Sequence, residues 1–177
     1  MKYIRHAALL LIALSVVCSA GQENPGPKRE PDWVRSDHEN FIRVGFVTRE
    51  QILSLKVFNY NYVEYIPQSD PVQEIHNYPL PLEIKVFLGD WCSDSKKHVP
   101  AFVKTMEFAD NTNIRITYMN MTPDKKEPAG LLAGWNILNV PTFVVLSNGR
   151  EAGRIVETPK VSIEQDLADI LATISSP

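Results

Sequence analysis

The sequence predicts an α/β domain, a mixed sheet with helices on both faces, preceded by a mainly helical N-terminal extension. Three observations carry this prediction. Residues 83–88 and 141–146 are short, near-continuous apolar runs rich in β-branched and aromatic side chains, as buried strands should be. A long helical stripe separates the first run from a third, alternating run at 114–119, so those two strands are joined by a helical crossover and should be parallel. Asn148-Gly149, directly after the second apolar run, is the strongest hairpin signal in the chain and pairs that run antiparallel with 154–156. Parallel and antiparallel partners in one sheet make it mixed, and its apolar strands need helices over both faces.

Composition sets the frame for these elements. A chain of 177 residues, 44% hydrophobic and 22% charged, fits one globular domain with appendages. A net charge of −3, with no basic stripe interleaved with aromatics, gives no case for nucleic acid. No Gly-rich phosphate loop is present and no cofactor is expected. The N-terminus reads as a targeting segment. Lys2 and Arg5 precede an apolar run over 7–18 that is too short to span a bilayer comfortably. Cys18-Ser19-Ala20 then places small residues where a signal peptidase reads, which predicts a signal peptide over 1–20. The competing reading is a lipoprotein lipidated at Cys18, against which the bulky Val17 stands. Both readings export the chain to the periplasm or the exterior, and no later segment would remain as a transmembrane span.

Taken in order, residues 21–32 are polar and rich in Pro and Gly, which predicts a flexible linker. Residues 33–81 form the extension. Its first part, through Val47, mixes aromatics, charges and Gly45 without a period. Thr48 to Gln51 has the pattern of a capping box ahead of Ile52, Leu53, Leu55, Val57 and Phe58, and predicts a helix that continues past Tyr62 and Tyr65. Aromatics at this spacing pack a helix onto its domain more often than they stack a ligand. Asp70-Pro71 opens a second helix to about Asn77, and Tyr78 to Pro81 leads extended into the first strand.

The main domain, 82–177, then begins. After Cys92, Val99, Phe102, Val103 and Met106 form one helical stripe, with Pro100 inside it as a kinking residue. A charged loop follows the strand at 114–119, then a short helix at 129–135. The last helix opens at Ser162, with Gln165 three residues on as a capping box, and its apolar face is Ile163, Leu167, Ile170, Leu171 and Ile174.

The first strand runs directly into the crossover helix, with Cys92 at the junction. A thiol there sits at the positive end of a helix dipole, which favours a reactive thiolate. A half-buried structural cysteine is the other reading. If Cys18 leaves with the signal peptide, Cys92 is the one remaining thiol and no internal disulfide is possible.

This order of elements, with a Trp-Cys pair at the first strand-to-helix turn, resembles the thioredoxin superfamily. Trp91-Cys92-Ser93-Asp94-Ser95 is similar to the family's Trp-Cys-x-x-Cys motif, and Pro100 falls where the family's kinking proline stands. The segment Trp135 to Phe143 is similar to the one that carries the family's cis-proline, and the Asn148-Gly149 turn follows at the expected distance. The resemblance implies a thioredoxin-like fold, a cis peptide at Pro141, and a loop of Val140, Pro141 and Thr142 lying against Cys92. Val140 would offer its backbone to an extended substrate segment, beside Trp91. Protein or low-molecular-weight thiols and disulfides would be the partners, and the activity that of a thiol–disulfide oxidoreductase or isomerase.

The departures define the chemistry further. Ser95 replaces the resolving cysteine, so Cys92 would act as a monothiol resolved by an external thiol, with the Ser95 hydroxyl placed to reach the thiolate. Val86 and Lys85 stand where many thioredoxins carry a buried acid before the motif. Asp94 opposes thiolate formation, whereas Lys96 and Lys97 favour it. The alternative function is a binding module that keeps the cis-proline groove and has lost catalysis. Asp90, Cys92, Asp94 and His98 are a poor zinc set, so no metal is expected. His98 stands six residues beyond Cys92, on a face that suits no cysteine-hydrolase base. No Thr precedes Cys92 as a peroxidase arrangement would require.

Overall fold

A computed structural model describes residues 41–126 and 128–174. The sequence readings for 1–40 (signal peptide, lipidation at Cys18, linker) lie outside these residues. The elements are β1 (Gly45–Val47), α1 (Arg49–Ser54), α2 (Lys56–Glu64), α3 (Ser69–Asn77), β2 (Leu82–Leu88), α4 (Ser93–Ala109), β3 (Ile114–Asn120), α5 (Ala129–Leu132), β4 (Thr142–Ser147), β5 (Arg150–Val156) and α6 (Ile163–Thr173).

The five strands form one mixed sheet in the order β1-β3-β2-β4-β5. β2 pairs parallel with β3, from Leu82 against Ile114 to Leu88 against Asn120, and antiparallel with β4 on its other side. The central strand is thus buried on both faces, which is why its sequence is apolar with so little alternation. Asn148 and Gly149 both hold positive φ, 51° and 74°, and turn β4 into β5 as a two-residue hairpin. The strand at the opposite edge, β1, falls in the stretch that sequence patterning left unassigned; it pairs antiparallel with β3 over Gly45 to Val47.

Each face of the sheet carries its own core. On one face Ile84, Val86 and Leu88 pack against Val99, Phe102 and Val103 of α4 and Ile163, Leu167 and Leu171 of α6. Ile52, Phe58, Val72 and Ile75 of the first three helices, with Leu55 between the first two, join the same core. On the other face Phe87, Met119, Val144 and Leu146 meet Trp91, Trp135, Ile137 and Val140 under α5.

The helix expected to run on from Thr48 is two helices. Thr48 does cap α1 with a reciprocal box to Gln51, but the chain leaves the helix at Leu55, whose ψ is 122°. The Ser54 hydroxyl donates to the Gln51 carbonyl at 2.7 Å, a local bond that competes with helix continuation. The break allows Leu55 and Phe58 both to face the core, at 5% and 1% exposure. α1 is bound to α4 by Arg49 on Glu107 at 2.7 Å, and α2 by the Tyr62 hydroxyl on the same carboxylate and by Lys104 Nζ on the Val63 carbonyl at 2.9 Å. Glu164 of α6, 1% exposed, accepts from Tyr65 Oη at 2.7 Å and from the Gln68 amide at 2.9 Å, and so ties down the α2–α3 connection. Ser162 caps α6 through the Gln165 amide at 3.2 Å, while the Gln165 side chain turns forward to Asp169 instead of closing a box.

Candidate thiol site

β2 ends at Leu88 and the chain turns once before α4 begins. The Cys92 amide donates to the Gly89 carbonyl at 2.9 Å, and Cys92 itself is the N-cap of α4, with the Lys96 amide on its carbonyl at 3.0 Å. Gly89 is required by close approach. A Cβ there would lie 2.5 Å from Trp91 Cε2, because the indole folds back over this position. The indole Nε1 donates to the Met121 carbonyl at 2.8 Å, fixing the ring beside the loop after β3.

The Cys92 thiol is partly exposed and donates from Sγ to the Val140 carbonyl at 3.1 Å. The Val140–Pro141 peptide is cis. Thr142 is buried and its hydroxyl donates to the Asn139 carbonyl at 2.7 Å, closing the loop on itself, while the Pro141 carbonyl accepts from the Glu157 amide at 2.7 Å. Trp91, Cys92 and Val140 belong to one apolar cluster on the sheet face covered by α5. The structure therefore brings Trp91, Cys92, Val140 and Pro141 together, with Thr142 supporting the loop from behind.

Ser95 takes a different place from the one its sequence position suggests. It is fully buried, and its Oγ accepts from the Gly89 amide at 3.1 Å, inside the turn. The bond made by Sγ goes to Val140 rather than to Ser95.

Sequence reasoning looked for a buried acid at 85–86, where Val86 is indeed apolar and buried. The structure holds one elsewhere, at Asp90. Its Oδ2 accepts from the Ile42 amide at 2.7 Å and from Asn120 Nδ2 at 3.2 Å, and Asn120 Oδ1 accepts from the Asp90 amide at 3.1 Å. Asn120 Nδ2 also reaches the Ile42 carbonyl at 3.1 Å. Burial pushes the Asp90 carboxyl up, and the bonds from Ile42, Asn120 and the Trp91 amide, with the nearby Lys96 charge, pull it part of the way back. The acid thus holds the segment before β1 against the loop that carries Cys92. A cavity of about 240 Å³ lies alongside, lined by Phe41, Ile42, Trp91, Met121 and Pro123. In the sequence Asp90 stood out only among the rejected zinc ligands and Asn120 not at all, because the Asp90 carboxylate and amide find their partners 48 and 30 residues away.

His98 is buried in α4 with Nε2 unpartnered. Burial and then the Lys97 charge push its imidazole below the ordinary range, and Asp94 opposes them. Among the described residues no group of three or more His, Cys, Asp or Glu side chains could hold a metal ion.

The chain is 29% identical over 87 residues to the TPR repeat-containing thioredoxin TDX of Arabidopsis thaliana, covering 49% of this chain and 21% of that protein. It is 27% identical over 108 residues to thioredoxin H2-1 of Oryza sativa subsp. japonica, covering 60% of this chain and 73% of that one. The chain thus spans about a fifth of the length of the first relative and nearly three quarters of the second. Among solved structures, a Pseudomonas aeruginosa protein of unknown function aligns over 67% of this chain and 79% of its own, at 17% identity and a TM-score of 0.47. The thioredoxin family model matches residues 46–169, from the edge strand β1 into the last helix, and takes in the whole sheet and the Cys92 turn. The chain belongs to the thioredoxin family.

Proposed function

We propose that the protein is an exported monothiol thiol–disulfide exchange protein acting through Cys92. One observation carries the reading: the partly exposed thiol of Cys92, the N-cap residue of α4, reaches the Val140 carbonyl of the cis-proline loop at 3.1 Å, with a serine where a second thiol would stand. The N-terminal targeting pattern supports export, and removal of Cys18 with that segment would leave Cys92 as the one thiol.

The chemistry is two displacements. The Cys92 thiolate attacks one sulfur of a substrate disulfide; the Cys92–substrate S–S bond forms as the substrate S–S bond breaks, and the departing sulfur takes a proton from water. An external thiolate, from a protein or a small thiol, then attacks the substrate sulfur of the mixed disulfide; a substrate–external thiol S–S bond forms as the Cys92–substrate bond breaks, and Cys92 leaves as the thiolate. Ser95 cannot perform that second displacement. In the mixed disulfide Cys92 has no S–H, so the Val140 carbonyl is released to accept from the backbone of an extended substrate segment, flanked by Trp91.

Exchange between a disulfide-bonded protein and excess small thiol tests the proposal. Wild type should accelerate it and Cys92→Ser should not. Equal activity in Cys92→Ser would sink the reading. Inactivity in wild type together with binding of extended peptides would favour a groove kept for recognition alone.

A further inference from the structure

α4 contains a proline whose missing hydrogen bond is supplied from another element. Pro100 has no N–H, so the carbonyl of Lys96, four residues earlier, lacks the donor that regular helical pairing would give it. A half-buried carbonyl left without a donor is costly. Here the side-chain amide of Asn61, on α2, donates to the Lys96 carbonyl at 2.8 Å.

The position of that carbonyl matters. Lys96 ends the first turn of α4, and its amide already binds the carbonyl of Cys92 at 3.0 Å. Helical pairing takes the next amide, that of Lys97, to the carbonyl of Ser93. The Asn61 donor therefore lies at one end of a chain of aligned peptide dipoles, and the other end is the set of first-turn amides at which Cys92 sits. Hydrogen bonds linked in this way polarise one another, and the first-turn amides are the part of a helix that favours negative charge at its N-terminus. Asn61 is itself held in place by its neighbours along α2. Tyr62 bonds Glu107, and the Val63 carbonyl receives Lys104 at 2.9 Å.

We infer that Asn61 is a positioning residue for Cys92: α2 supplies the hydrogen bond that Pro100 denies Lys96 and thereby fixes the turn of α4 that presents the thiol. The extension is then a working part of the thiol site. The inference rests on the reading of Cys92 as the exchanging thiol.

The test is a cycle in the full chain: wild type, Asn61→Leu, Pro100→Ala, and the double variant. Cys92 alkylation by iodoacetamide at pH 7 is followed through the mass of the Cys92 peptide, with thermal unfolding measured alongside. Asn61→Leu should slow alkylation about fivefold, the factor that matches one net hydrogen bond. Pro100→Ala restores a backbone amide that can bind the Lys96 carbonyl, so adding Asn61→Leu to it should change the rate by less than about twofold. An unchanged rate in Asn61→Leu, with only the melting temperature lowered, would overturn the inference, as would the same loss in both backgrounds. If Asn61→Leu does not fold alone, the pair on the Pro100→Ala background decides: equal rates support the role and a loss of about fivefold refutes it. Alkylation needs no substrate disulfide. A wild type that shows the cycle but no exchange activity would therefore fault the exchange reading alone, and exchange without the cycle would fault only the role of Asn61.

Discussion

Gly89→Ala tests how tightly the turn before Cys92 is built. The new Cβ would stand 2.5 Å from Trp91 Cε2 and 2.8 Å from Cζ2 and Nε1, whereas unstrained carbon contacts fall at about 3.5–4.0 Å. The indole would have to retreat by about 1 Å. That movement takes Nε1 beyond hydrogen-bond range of the Met121 carbonyl, now 2.8 Å away. Overpacking of this kind costs about 1–3 kcal/mol and the lost bond about 1 kcal/mol more. Gly89 lies outside the left-handed region, so alanine returns about 0.4–1 kcal/mol through the unfolded chain. The net expectation is a loss of about 2 kcal/mol. Urea unfolding followed by circular dichroism measures it, and the same substitution on a Trp91→Ala background isolates the clash. With the indole gone, Gly89→Ala should cost less than about 0.5 kcal/mol. An equal cost in both backgrounds would refute the assignment of the glycine to the indole.

Two further predictions concern the helical face. Glu164→Leu removes the acceptor shared by Tyr65 and the Gln68 amide and should cost about 3 kcal/mol in urea unfolding, against about 1 kcal/mol for Tyr65→Phe; equal, negligible costs would show that the buried carboxylate does not anchor the α2–α3 connection. His98 is depressed by burial, so the unfolded chain takes up its proton first as pH falls below the ordinary range near 6.5. Wild type should therefore lose stability below that pH, by no more than about 1.4 kcal/mol per pH unit, and the loss should level off under the folded value. His98→Met should remove this part of the acid-side loss, and identical pH profiles for the two proteins would contradict it.

Much of the fold was legible because its signals are local. The Thr48 capping box, the Ser162 cap, the Asn148-Gly149 turn and the apolar runs of β2 and β4 all act within a few residues, and each forms in the structure. β1 was not legible: three residues at a sheet edge, one of them glycine, carry no period to detect. The break at Leu55 was hidden for a similar reason. Its benefit is the burial of Leu55 and Phe58 in a core that the local sequence does not display. At the site, Trp91, Cys92 and the Val140–Pro141 loop stood out because the family motif links them. Asp90, Asn120 and Asn61 did not, since each acts through a hydrogen bond to a backbone group of another element, and backbone groups leave no mark in a sequence. Ser95 shows the limit of motif reasoning. Its spacing from Cys92 suits contact with the sulfur, yet the turn it closes draws its oxygen to the Gly89 amide.

Trapping measures the role of Cys92 most directly. Wild type and Ser95→Cys are incubated with a disulfide-bonded protein without added thiol, quenched with acid, and resolved by mass spectrometry under non-reducing conditions. Wild type should accumulate a mixed disulfide through Cys92 that persists until a small thiol is added, whereas Ser95→Cys should release its partner and close an internal disulfide between Cys92 and the introduced thiol. No adduct at Cys92 in wild type, under conditions where Ser95→Cys reacts or where it too stays inert, would contradict the account of Cys92 as an exchanging monothiol.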